Sequence, residues 1–323
     1  MSFESEFQSI HTRETPGKAN ARLTINDPFL HRKQRRHFIL HDVLPALFTV
    51  VALLLIPVLR PGLPELAAFL VMWTVTGLGV STGYHRLFAH KSWVAARPLR
   101  NALAITGAMA GQGSVLSWVA MHRRHHERSD ADGDMHSPNL HGDDWRGRLR
   151  GFLHAHLTWM MAHPYPSVVH YAPDLMRDRT IAWIHKHYQR WVILGLVLPA
   201  LFCALVERSW SGLLMGFLWG GMVRMFVLEH GIWSLNSLCH MMGTRRWATR
   251  DKSRNIGLIA PFIFGESWHH NHHAFPGSAW FGLRWWRVDP GYWFIWLMGV
   301  LGLARDIKVP ERAQLEMRRA AAR

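Results

Sequence analysis

Cysteine is nearly absent from this chain. Only Cys203 and Cys239 occur in 323 residues, with no Cys-x-x-Cys pair, which excludes a disulfide scaffold. Charge is also scarce: 18% of residues are charged, and 22 acids face 37 Lys and Arg. That is too little charge for a surface-rich soluble globule. The first 37 residues hold no apolar run and begin acidic, so they are not a secretory signal peptide. They are expected to form a flexible tail ending in Arg32, Lys33, Arg35 and Arg36. Neither an internal repeat nor a low-complexity tract is present. Apolar residues, by contrast, reach 49%, with 17 Trp and 23 His, which excludes disorder for most of the chain. The apolar residues come in blocks with the charges between them, and the net charge is +15. This pattern predicts an integral membrane protein with a basic, histidine-rich aqueous face turned to lipid and protein partners, not to nucleic acid.

A spanning helix needs about 20 mostly apolar residues. Residues 38–59 and 66–84 form one expected hairpin, and 191–206 and 212–228 a second. The fold expected is therefore all-α, with four spans under a helical cap. Residues 101–120 are apolar enough to count as a fifth span, but Gly107, Gly111, Gly113, Gln112, Ser114 and Ser117 suit a packed or re-entrant segment better. A fifth span would also separate the flanking histidines across the bilayer. The hairpin turns carry only Arg60 and Arg208 as cations, whereas the tail, residues 85–190 and the region after 229 are rich in Lys and Arg. Both termini and the histidines are then expected on the cytoplasmic side. Residues 292–304 are apolar but too short to span, and should lie at the interface.

Three histidine clusters dominate the polar regions: His85 with His90; His122, His125 and His126; and His269, His270, His272 and His273. The last two share His-x-x-His-His, which on a helix sets positions i, i+3 and i+4 on one side. The first pair lies five apart, about 140° around an α-helix, so it is expected to straddle a site at a helix end. Imidazole suits several transition metals. The ligands are too many for one ion and about right for two. Soluble di-iron bundles use Glu-x-x-His pairs, a pattern missing here, so an all-histidine di-iron centre fits best.

In these residues the chain resembles the membrane fatty acyl desaturases, in particular the acyl-CoA, stearoyl-type delta-9 branch, over residues 38–310. The three boxes in order carry the resemblance. Further matches are the Asn236 to His240 element, Gln112, Trp118, Gly265 to Trp268, Ala274-Phe275-Pro276, and Arg284 to Pro290. It implies two iron ions held by His85, His90, His122, His125, His126, His240, His269, His272 and His273, with Asn236 acting through a water. It implies Trp233 against the acyl chain near a bend, and O2 and external electrons as co-substrates. The implied reaction inserts a cis double bond, at delta-9, into a saturated long-chain acyl thioester on CoA or acyl carrier protein. An acyl-lipid desaturase and a related di-iron hydroxylase are the neighbouring alternatives. A histidine-rich metal transporter is the alternative of another class; it would need charges inside the spans, where Arg224 and Glu229 are the candidates. His270 stands where the family has Asn and is left out, and His156 and His230 are read as packing histidines.

The chain also departs from the pattern. Ala120 and Met121 replace an Arg-Asp pair whose Arg contacts CoA, and residues 129–150 are longer and more acidic than the family's. Arg97, Arg100, Arg123, Arg124 and Arg128 flank the first two boxes and are candidate phosphate contacts, with Arg123 and Arg124 assigned to the substrate. Glu127 and Glu266 are expected to orient imidazoles. No His-Pro-Gly-Gly haem motif occurs, so a separate ferredoxin-, rubredoxin- or cytochrome b5-type donor is expected, with the basic run Arg245, Arg246, Arg250, Lys252 and Arg254 as its landing face. The resemblance points to a bacterial cytoplasmic membrane, with residues 311–323 as a basic tail.

Overall fold

The computed structural model describes residues 23–161 and 163–320. Four helices are long and apolar enough to cross a membrane: α1 (Pro28–Leu55), α2 (Leu63–Ala89), and, later in the chain, two that run over Tyr188–Glu207 and Trp210–Met241. Leu54, Leu63, Leu66, Val71 and Leu205 stay exposed along them, as a lipid-facing surface requires. Between the hairpins come α3 (Arg97–Met109), α4 (Val115–Arg128), α5 (Trp145–His156) and α6 (Arg179–Lys186), followed by the spans α7 (Tyr188–Glu207) and α8 (Trp210–Met241). The short α9 (His269–Ala274), α10 (Pro290–Val300) and α11 (Arg312–Ala320) complete the cap. Two-residue strands tie loops together, Thr24–Ile25 against Tyr165–Pro166 and Val94–Ala95 against Ala304–Arg305.

Local chemistry sets the ends. Asp27 accepts hydrogen bonds from the amides of Phe29 and Leu30 at the start of α1, with Pro28 at the first helical position. The α7–α8 turn is two residues: Arg208 takes the left-handed conformation and Ser209 caps α8 through the Gly212 amide. Close helix contacts rely on glycine. A Cβ on Gly79 would sit 2.3 Å from the Gly107 nitrogen, and one on Gly216 would sit 2.4 Å from the Pro199 carbonyl oxygen. Such backbone approach is how helices associate in lipid, where apolar burial gives little drive.

Residues 101–120 do not span. α3 and α4 are separated by a turn in which Gly111 and Gly113 have positive φ, and α3 packs against α2 and α7 instead of forming a span of its own. α10 is also too short to cross and exposes Trp293, Trp296 and Val300, as an interfacial helix does.

Three expectations change. Thr24–Ile25 form a strand and α1 starts at Pro28, so residues 28–37 are helical; residues 1–22 of the expected tail lie outside the described residues. The C-terminal segment is also helical over Arg312–Ala320, and Arg318 donates to the Ala248 carbonyl at 3.3 Å. The spans run past the apolar blocks into the cap, so that α2 carries His85 and α8 carries His240. Stretches of π-helix occur in three of the four, at Ile39–Val43, Gly79–Ala89 and Phe217–Val223.

Candidate metal centre

Nine imidazoles gather in the cap in two groups, each with its ring nitrogens within 4.8 Å of one another. One is His85, His90, His122, His126 and His272; the other is His125, His240, His269 and His273. These are the nine histidines singled out from the sequence. The helical triplets are not each devoted to one point, however. On α4, His122 and His126 enter the first group and His125 the second; on α9, His269 and His273 enter the second and His272 the first. Positions i and i+4 lie only about 40° apart around an α-helix, while i+3 falls on the far side of i. The triplets thus straddle two sites, each giving two rings to one and one to the other.

The first pair converges for a different reason. Residues 79–89 are π-helical, and the His90 amide donates to the His85 carbonyl five residues back at 3.1 Å. In that winding residue i+5 lies about a turn on from residue i. The 140° separation expected of an α-helix does not apply, and both rings enter the first group, with centroids 5.0 Å apart.

Four carboxylates fix the rings. Asp130 Oδ2 lies 2.8 Å from His240 Nδ1, Asp134 Oδ1 3.2 Å from His125 Nδ1, and Asp251 Oδ2 3.3 Å from His273 Nδ1; Glu266 bonds His85 Nδ1. A carboxylate at Nδ1 holds the proton there and leaves the Nε2 lone pair to the interior. Burial raises each of these carboxyls, but the facing histidines outweigh it and hold Asp130, Asp134 and Asp251 far below the usual range. Glu266 is also lowered, by His85 and Arg86 against burial. Burial, then the neighbouring rings, drives His90, His122, His126, His269 and His272 well below the ordinary imidazole value. His273 falls to about 4. Most of the rings are therefore neutral, with lone pairs aimed at one another: Nε2 atoms approach to 2.7 Å in His90–His122, 2.8 Å in His126–His272 and 3.0 Å in His240–His269. Nitrogens about 3.0 Å apart subtend roughly a right angle at an ion about 2.1 Å from each. His125 Nε2 is buried without a partner. Buried lone pairs facing each other fit metal ions and little else.

Arg86 braces the first group. Fully buried, it contacts Glu266, Asp289 at 2.9 Å and the carbonyls of Phe264 and Ala279. Beside the imidazoles lies a cavity of about 50 Å³, lined by His85, His122, His125, His269, Asn236, Trp118, Leu228, Ile232 and Phe264 among others. Asn236 and Trp118 thus border the cavity together with the imidazoles, and Trp118 stacks on His122 at 5.0 Å. Gln112 sits in the turn before α4 with Nε2 buried and unpartnered. Trp233 does not line this cavity; it packs edge-on to His156 and His230, which bond each other at 3.0 Å away from both groups. His270 is held outside, accepting from the Trp247 amide at 2.9 Å.

Two expectations for charged residues meet a different arrangement. Arg123 spends its guanidinium on Asp174 and on the carbonyls of Phe88, Ala89 and Tyr171. Arg124 is buried against the Tyr171 hydroxyl. Both fasten α4 to the cap instead of facing a phosphate. Glu127 accepts from that same hydroxyl, at 2.5 Å, and touches no imidazole. The carboxylates that sequence reasoning missed are Asp130, Asp134 and Asp251. The acidic stretch after the second box is the sequence signal for Asp130 and Asp134; Asp251, in the basic run 245–254, has none.

Asp130→Asn and Asp134→Asn are each expected to weaken metal binding about 10- to 100-fold while leaving membrane insertion intact. Chelator competition on purified protein measures this; unchanged affinity in both would show that the carboxylates do not set the rings.

Comparison with known proteins agrees with this geometry. Residues 62–296 match the fatty acid desaturase family. The chain is 43% identical to a hex-5-enoyl-[acyl-carrier protein] acetylenase of Moorena producens, over 95% of this chain and 96% of that one. It is 37% identical to delta-9 acyl-lipid desaturase 1 of Arabidopsis thaliana, over 78% and 77%. Identity to an sn-1 stearoyl-lipid 9-desaturase of Anabaena variabilis is 33%, over 76% and 85%. A membrane protein with four such helices and these histidine groups, the chain belongs to the fatty acid desaturase family and is an oxidoreductase that desaturates fatty acyl chains.

Proposed function

We propose that the two histidine groups hold two iron ions, and that the chain uses O2 and two external electrons to insert a cis double bond into an acyl chain presented as a thioester. The convergence of nine largely neutral imidazoles beside an apolar cavity carries this reading. Iron, when bound, supplies the oxygen activation that no side chain can. The chain's own residues position and exclude. Leu228, Ile232 and Phe264 hold one C–C bond against the imidazoles and keep water out, and Asn236 is assigned to orient a water beside them. Asp130, Asp134, Asp251 and Glu266 keep the Nδ1 protons in place. The reactive unit is taken as residues 38–310. A delta-9 position rests on the resemblance and on the named acyl-lipid relatives. The thioester rests on the carrier-protein relative.

Protein purified without oxygen is expected to hold two irons per chain. His272→Ala, which removes one ring from the first group and leaves the fold's braces alone, is expected to lose turnover. Acyl products from a thioester series of six to eighteen carbons, compared with a saturated phosphatidylcholine, test the substrate. Hydroxylated products would shift the assignment to a hydroxylase, and full activity of His272→Ala would undo the ligand set.

The basic side is proposed to face the cytoplasm of a bacterial cell and to receive an acidic donor of ferredoxin, rubredoxin or cytochrome b5 type. Arg246 faces Arg284 and Arg319, and Arg287 lies over the Trp268 ring, next to His269. Orientation is tested with Gly62→Cys, Ser209→Cys and Ser129→Cys. The first two are expected to react with an impermeant thiol reagent from outside and the third not to; outside labelling at Ser129 would reverse the orientation.

A further inference from the structure

A second polar cluster lies among the helices, around the turn that joins α3 to α4. Asp42 Oδ2, both carboxyl oxygens of Glu229, Gln112 Nε2 and the Tyr84 hydroxyl are all buried and find no hydrogen-bond partner among the described residues. They belong together. Tyr188 bonds the Gly113 amide at 3.0 Å and faces Tyr84, Glu229 and Asp42 at once. A Cβ on Gly111 would stand 3.3 Å from Glu229 Oε1. Arg224, the nearby cation, is spent on the carbonyls of Gly220, Met109 and Gly195. Asp42 sits on the π-helical stretch Ile39–Val43 of the first span, a winding that often marks a functional site.

One unpaired buried polar group costs about 1–3 kcal/mol, so a converging set of them is unusual without something to bind. The site is also connected. Gln112, Gly113 and Ser114 are only half-buried, and a Cβ on Gly113 would meet no atom within 4 Å, so the turn borders open space. On the inner side Leu228, next to Glu229, lines the cavity at the imidazoles, as does Trp118, whose ring is 5.8 Å from Tyr84.

We propose that this cluster binds the amide-bearing pantetheine arm of a carrier-linked acyl thioester, just outside the metal centre. This rests on the proposed thioester reading and narrows it. Two amides and a hydroxyl offer donors to the carboxyl groups of Asp42 and Glu229 and acceptors to Gln112 and Tyr84. A phospholipid would bring a phosphodiester anion to two carboxyl groups with no available guanidinium, which is the wrong chemistry.

The test uses iron-loaded, purified protein with an artificial reductant. Stearoyl-acyl carrier protein and distearoylphosphatidylcholine are the two substrates, and binding of stearoyl-pantetheine to iron-free protein is a separate readout. Glu229→Leu, and Asp42→Leu on a different helix, are each expected to raise KM for the carrier thioester at least tenfold with kcat and iron content little changed. Pantetheine binding should weaken in parallel, and Glu229→Gln should restore most of it. Unchanged KM and binding in the Leu variants would overturn the proposal. So would loss of iron or kcat without a KM change, or desaturation of the phospholipid alone. Failure to desaturate either substrate, with pantetheine binding intact and sensitive to Glu229→Leu, would instead sink the thioester desaturase reading and leave the arm site standing.

Discussion

Nine buried imidazoles can coexist only if most are neutral and their lone pairs have somewhere to go. Burial makes the protonated rings unfavourable, and neutral rings pointing nitrogens at one another at 2.7–3.1 Å cannot all be satisfied by hydrogen bonds. A pair of cations, as proposed, would resolve the conflict, and the carboxylates of the cap are arranged around these rings. Carboxylates stand at Nδ1 of one ring in the first group and three in the second, so the protons stay on the outside and the lone pairs on the inside. That outer layer is itself tied down. Asp130 also accepts from the Lys252 amide at 2.7 Å and from Ser137 and Asn139, and Arg86 clamps Glu266 to Asp289.

The membrane helices take part directly. α2 and α8 continue past their apolar blocks and deliver His85 and His240, so the two hairpins and the histidine groups share the same helices. π-Helical turns supply the fine adjustment: they turn His85 and His90 inward together and bring Asp42 in α1 toward Glu229 in α8. Glycines at α2–α3 and α7–α8 let the backbones close up, which keeps these long levers from rocking.

Much of this was legible in the sequence. The apolar blocks located four spans, the glycines of residues 107–113 argued against a fifth, and the three clusters supplied eight of the nine rings; the resemblance to the desaturases added His240 and set His270 aside. What could not be read has a physical reason in each case. The division of each triplet between two groups depends on how α4 and α9 face each other across the site, which spacing alone does not contain. The His85–His90 convergence depends on π winding, a local departure that no residue pattern here announces. Arg123 and Arg124 looked like phosphate ligands because exposed and structural arginines share a composition; only the nearby carbonyls and Asp174 show where the guanidinium goes. Asp130 and Asp134 were visible as acids but not as partners of rings more than a hundred and nine residues away, respectively.

The central claim is that two cations share a nitrogen environment made of imidazoles alone. X-ray absorption at the iron edge of purified, active protein tests it most directly. The account predicts a light-atom shell of nitrogen with the scattering pattern of imidazole, averaging between four and five rings per iron, and unchanged in atom type when Asp130 or Glu266 is replaced by its amide. A shell that requires carboxylate oxygen, or sulfur from Cys239, would contradict it.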